Sequence, residues 1–112
     1  MKQRPIPRSQ TDTTAALQAL ADALACLRNS ATVLAFLRDL CTPAELEALA
    51  DRWRVVPLLL QGRPYRDIHD HTGISVTTIG RVARCLEHGT GGYAAVLQAQ
   101  AMPPASSIEK PQ

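Results

Sequence analysis

Aromatic residues are scarce: Phe36, Trp53, Tyr65 and Tyr93 are the whole set in 112 residues. Any core must therefore be built from Leu, Val and Ala. Lysine occurs only at Lys2 and Lys110, so ten of the twelve basic residues are arginine. The three cysteines, Cys26, Cys41 and Cys85, are an odd number without framework spacing. They read as free thiols in apolar stretches, which fits a reducing cytoplasm and excludes a disulfide scaffold. The longest apolar run, Val55–Leu60, is far too short to span a bilayer, and the N-terminus MKQRPIPRSQTDTT lacks the apolar segment of a secretory signal. There is no alternating strand pattern, no Asn-Gly or Asp-Gly hairpin turn and no internal repeat. A Gly-rich phosphate loop and converging carboxylates are also missing, so no catalytic residues and no cofactor are expected.

What is present is helical periodicity. Hydrophobic residues make up 46% of the chain, enough for one compact domain. The composition predicts an all-α body over residues 13–100 with about six helices, flanked by disordered tails at 1–12 and 101–112. Leu17, Leu20, Leu24 and Leu27 lie on one face of a first helix over Thr13–Arg28. Asn29-Ser30 breaks it, and Ser30 is expected to cap a second helix with Val33, Leu34, Phe36, Leu37 and Leu40 on its apolar face. Thr42-Pro43-Ala44-Glu45 has the form of a capping box with proline at the first helical position. Gly62 ends the helix that begins there. Leu46, Leu49, Trp53, Val56 and Leu60 form one seam of this third helix, while Val55, Leu58 and Leu59 are apolar on other faces. A helix apolar nearly all round needs cover nearly all round, and a second subunit would supply it. Pro57 removes the hydrogen bond to the Trp53 carbonyl at a cost of ~3 kcal/mol, so a kink or break is expected near Val56.

Residues 64–87 read as a helix-turn-helix. Pro64 opens a short first helix, with Ile68 facing inward. Thr72-Gly73-Ile74 makes the turn, where Gly73 supplies a positive φ. Ser75 caps the second helix, which has no acidic residue between Ser75 and Leu86 and carries Arg81 and Arg84. The spacing of Val76, Ile79, Val82, Ala83 and Leu86 leaves Thr77, Thr78, Gly80, Arg81 and Arg84 for the outer face. That layout predicts binding of double-stranded DNA with the second helix in the major groove. Val76 and Thr77 would meet base edges, and Gly80 would let the helix approach closely. Arg66 and Arg84 would hold phosphates, with His69 a further candidate. The net charge of +2 and pI near 8.6 do not by themselves imply nucleic acid.

Four segments, DLCTPAELEALADR, LLLQGRPYRDI, TGISVTTIGRVARCL and GTGGYAAVL, occur in this order over most of the chain. Together they resemble the Trp-repressor superfamily, with most similarity to its YerC/YecD branch. The resemblance implies an interlocked homodimer presenting two reading helices. Half-sites would lie about one DNA turn, ~34 Å, apart. It also implies that Tyr93 begins a last helix and packs with Val96 and Leu97, and that the chain is a cytoplasmic transcriptional regulator.

The Trp repressor holds tryptophan between two arginines near a threonine. Thr42, Arg52 and Arg81 match those positions, with Cys85 beside them. The position after Arg81 departs from the family: Val82 stands where the repressor has glycine, and a branched side chain would fill much of the indole pocket. Ala83, Arg84 and Cys85 also lack the small polar character found there. The expectation is a regulator that does not respond to tryptophan, with Arg52 and Arg81 in ion pairs, for example with Asp51 or Glu87. An unknown small-molecule effector and an adaptor dimer without DNA binding are the alternative readings. A metal site is not expected: His69 and His71 point to different sides of a helix, leaving only Cys85 and His88 on a shared face.

Overall fold

The computed structural model describes residues 9–101. Among them the chain forms six helices and no strand: α1 (Gln10–Ala25), α2 (Ser30–Leu40), α3 (Pro43–Leu60), α4 (Tyr65–Thr72), α5 (Val76–His88) and α6 (Gly92–Ala101). The chain divides between Leu46 and Glu47 into two compact units.

In the first unit, α1 starts earlier than the periodicity predicts. Ser9, in extended conformation, accepts from the Asp12 N–H at 3.0 Å and so fixes the start at Gln10. The residues expected to close the N-terminal tail, 10–12, are therefore helical, and Ala101 likewise belongs to α6. The rest of both expected tails, 1–8 and 102–112, lies outside the described residues. The first helix ends at Ala25, short of Arg28. The cap of α2 is Asn29 and not Ser30: its Oδ1 accepts from the Thr32 N–H at 3.0 Å, and Ser30 is the first helical residue. Asn29 wins because its own backbone is extended, leaving the carboxamide free to fold over the first turn. The Thr42–Glu45 capping box forms reciprocally. Glu45 Oε1 accepts from the Thr42 N–H at 2.8 Å, and Thr42 Oγ1 accepts from the Glu45 N–H at 3.1 Å. Neither α1 nor α2 contains a buried residue, and Leu17 and Leu34 are 63% and 47% exposed.

The helix that follows does not break at Pro57. α3 runs without interruption to Leu60, and the Pro57 carbonyl accepts from the Gln61 N–H at 3.1 Å, so the ladder continues past the proline. Packing outweighs the loss. Val55 and Val56 before the proline are fully buried, and Leu58 and Leu59 after it pack against the same core. Each fully buried valine is worth roughly 1.5–3 kcal/mol, so together they offset the proline penalty. Leu49 and Leu60 of the expected seam are 41% and 59% exposed. Gly62 stops the helix with φ +80°; its N–H bonds the Leu59 carbonyl at 2.9 Å and the Arg63 N–H bonds that of Leu58 at 3.4 Å. This doubly bonded reversal is a Schellman motif.

The core of the second unit consists of Val55, Val56, Ile68, Ile74, Ile79 and Val82, with Trp53, Leu58, Leu59, Leu86, Tyr93 and Leu97 at its margin. α5 packs against α4 and α6. The last helix begins at Gly92, one position before Tyr93. Tyr93 does pack inward, its ring stacked on Trp53 with centroids 6.2 Å apart, but Val96 stays 46% exposed. Among the described residues no helix is long and apolar enough to cross a membrane.

At the turn, Gly73 has φ +80°, and a Cβ there would meet nothing within 4 Å. Gly73→Ala should therefore destabilise the protein by about 1–2 kcal/mol through backbone strain alone. The urea midpoint should fall while the circular dichroism spectrum stays helical.

Candidate nucleic-acid interface

The helix-turn-helix is closed by a small set of hydrogen bonds. Pro64 precedes α4 as its cap residue, without a side-chain bond. At the other end the Gly73 N–H bonds the His69 carbonyl at 2.7 Å. Thr72 Oγ1 donates to the Ile68 carbonyl at 2.7 Å and accepts from the Ile74 N–H at 3.0 Å. The Ile74 carbonyl accepts from His69 Nδ1 at 2.8 Å. Ile74 itself is 6% exposed, so this bracing holds a core side chain in place through both polar groups of its backbone. The turn is rigid because these polar groups are paired.

These bonds sort the residues predicted from the sequence. Ser75 Oγ accepts from the Thr78 N–H at 3.1 Å and donates to Thr78 Oγ1 at 3.1 Å. Its hydroxyl is thus spent on starting α5. His69 is committed in the same way. A carbonyl only accepts, so Nδ1 carries the proton, and a neutral ring presents a lone pair at Nε2. Such a ring would repel a phosphate; only the imidazolium would attract one. Val76 is 51% exposed at the first position of α5, and does not join Ile79 and Val82 in the core. Thr77, Arg81 and Arg84 are exposed on α5, Arg66 is exposed on α4, and Thr78 and Gly80 are half-buried.

Arg81 and Cys85 line one open depression of about 220 Å³ with Arg84, His88 and Gly89. Arg52 is half-buried on α3, and the Thr42 hydroxyl is engaged in its capping box. Val82 points into the core and is wholly buried. The expected ion pairs of Arg52 and Arg81 do not form. Among the described residues the ion pair within 4 Å joins His88 to Glu87 at 3.6 Å, between two exposed side chains. Neither arginine has a carboxylate in range among those residues, and for exposed groups water competes well with such pairs.

One residue beside this face carries no signal of its own in the helical pattern. Tyr65, at the first position of α4, is 44% exposed and lies beside Gly80 of α5. A tyrosine directly after the proline that opens the first helix was the available clue.

Fold and surface thus define a helix-turn-helix protein. Residues 15–101 match the family model described as Trp repressor protein. The chain belongs to the Trp repressor family, which is regulatory and not enzymatic. Over 58 residues it is 45% identical to the uncharacterized protein YerC of Bacillus subtilis strain 168. That match takes in 52% of this chain and 56% of YerC, so it spans little more than half of that relative. Two crystal structures are similar over 86% of the chain. One is a candidate Trp repressor from Staphylococcus aureus, 34% identical, with a TM-score of 0.72 and 98% of its own length covered. The other is a TrpR-like protein from Eubacterium eligens, 33% identical, with a TM-score of 0.73 and 99% covered.

The division between residues that brace the turn and residues that stand free of it can be measured on stability. Ser75→Ala should cost about 1 kcal/mol, the usual value of a helix cap. Thr77→Ala should change the unfolding free energy in urea by no more than about 0.5 kcal/mol, as expected for an exposed side chain without partners.

Proposed function

We propose that the protein is a homodimeric, sequence-specific DNA-binding transcriptional regulator that probes the major groove with α5. The observation that carries this reading is the exposed face of α5, where Val76, Thr77, Arg81 and Arg84 stand free on a helix held by the hydrogen-bonded turn. Val76 and Thr77 sit at the N-terminal end that meets base edges in this motif, and a thymine methyl suits both. Arg84 and Arg66 contact phosphates. Gly80 leaves the helix backbone bare beside Arg84, so that α5 can approach the DNA closely. Such a regulator acts in the cytoplasm, where the DNA is.

Dimerisation is supported by how little of the apolar surface the single chain covers. Leu17, Leu34, Leu40, Leu49 and Leu60 are all at least 41% exposed, and neither α1 nor α2 buries a residue. Two copies that interlock would cover these leucines and present two copies of α5. L-Tryptophan is not the effector in this reading, because the branched Val82 follows Arg81 where the repressor has glycine.

The DNA reading is tested with fluorescent duplexes selected from genomic fragments. Wild-type affinity should fall steeply as salt rises. Arg84→Ala should weaken binding to all sequences alike and lower the salt slope by about one per protomer. Thr77→Ala should instead change base preference, by roughly 1–3 kcal/mol at one position. If neither variant alters binding, α5 is not the reading face; a wild type that ignores DNA even at low salt is an adaptor. The dimer has its own readout. Sedimentation should give twice 12.1 kDa, and the thermal midpoint should rise with protein concentration, as for any fold completed by a second copy. Calorimetry with L-tryptophan should show no binding in the micromolar range.

A further inference from the structure

Gly80 occupies the interior of α5, where glycine is worth about 1 kcal/mol less than alanine. The backbone does not require it. Positive φ angles occur at Gly62, Gly73 and Gly91, and Gly80 is not among them. The packing does not require it either. A Cβ at Gly80 would lie 3.7 Å from Arg84 Nη1 and 3.8 Å from Tyr65 Cε2, both ordinary van der Waals distances. Within this chain an alanine would fit and would strengthen the helix. Neither the backbone nor the packing among the described residues thus accounts for the missing side chain.

The surroundings of that space have a definite chemistry. Its floor is helix backbone. The Arg84 guanidinium forms one side, reaching back from the next turn as helical side chains do. The Tyr65 ring edge, from the first residue of α4, forms the other. Arg84 is exposed and has no carboxylate within 4 Å among the described residues, and α5 has no acid before Glu87. A cation and a phenol hydroxyl over a bare floor suit a tetrahedral anion, to which arginine donates in pairs. The position along the helix agrees. Gly80 follows Val76 and Thr77 by one turn, behind the end that reads bases, and Tyr65 belongs to the helix that crosses the DNA backbone in this motif.

We propose that Tyr65, Gly80 and Arg84 form one seat for a single DNA backbone phosphate. The proposal rests on the DNA-binding reading above and assigns Tyr65 a role in it. Arg84 neutralises the phosphate, the Tyr65 hydroxyl donates to a second oxygen, and Gly80 admits it to the depth where both reach. The seat thereby fixes how far α5 sinks into the groove.

The test uses the full-length protein and a random-sequence duplex, read by fluorescence anisotropy across a salt series, with thermal midpoints measured in parallel. Gly80→Ala should keep or raise the thermal midpoint and yet bind about tenfold or more weakly, since a charge-assisted bond is lost. Its salt slope should fall by about one per protomer, as for Arg84→Ala. The double variant Gly80→Ala/Arg84→Ala should bind no more weakly than Arg84→Ala alone, because both changes empty the same seat. Tyr65→Phe, which keeps the ring, should lose about fivefold, the worth of one hydrogen bond. If wild type binds with the expected salt dependence while Gly80→Ala binds equally well, the seat is wrong and the DNA reading stands. The seat is equally wrong if the Gly80 and Arg84 losses multiply, or if Tyr65→Phe has no effect. A wild type that shows no salt-dependent binding overturns the DNA reading and the seat together.

Discussion

The helix-turn-helix depends on a core made entirely of β-branched side chains. Val55, Val56, Ile68, Ile74, Ile79 and Val82 are the buried residues, and no leucine is among them. A β-branched residue in a helix has one strongly preferred χ1 rotamer, so such a core packs in few ways. The choice has a consequence for α5. Ile79 and Val82 anchor its inner face, and the outward positions Thr77, Gly80, Arg81 and Arg84 inherit that rigidity. A reading surface needs its side chains held in place before the ligand arrives, and stiff packing beneath supplies this.

The leucines have the opposite distribution. They populate α1, α2 and α3, with Leu86 on α5 and Leu97 on α6, and stay half-buried or exposed; Leu58, Leu59, Leu86 and Leu97 pack at the margin of the core. The β-branched set closes one small unit within a single chain, and the exposed leucines, Leu17, Leu34, Leu40, Leu49 and Leu60, leave the surface that the proposed dimer would cover. The stacked Trp53 and Tyr93 rings join α3 to α6 at the margin of the closed unit.

Much of this was legible in the sequence because local chemistry decides it. The capping box at Thr42–Glu45, the stop at Gly62, the turn at Gly73 and the cap at Ser75 each need one residue type in one backbone conformation. The residues matching the Trp repressor family added the order of the helices. What could not be read depended on competition. Asn29 and Ser30 are both good caps, and only the backbone angles choose between them. Pro57 reads as a breaker until the burial of Val55 and Val56 is known. His69 carries a charge-capable ring near a basic face, yet its Nδ1 is drawn to a carbonyl five residues on, a partner visible only once the turn is closed. Tyr65 was hidden for the same reason, since its neighbour across the motif is Gly80.

The six buried residues all fall within the span from Val55 to Val82, and the two helices of the motif are joined by a turn of only a few residues. Contacts this close along the chain form quickly, because little loop entropy stands in their way. During synthesis this unit can close as soon as the last of its core residues, Val82, has emerged. The exposed leucines have no such shortcut; in the proposed dimer their cover would come from a second copy and so would depend on concentration. In the proposed dimer the closed unit would therefore form first, and the exposed leucines would be covered later, at a rate set by protein concentration.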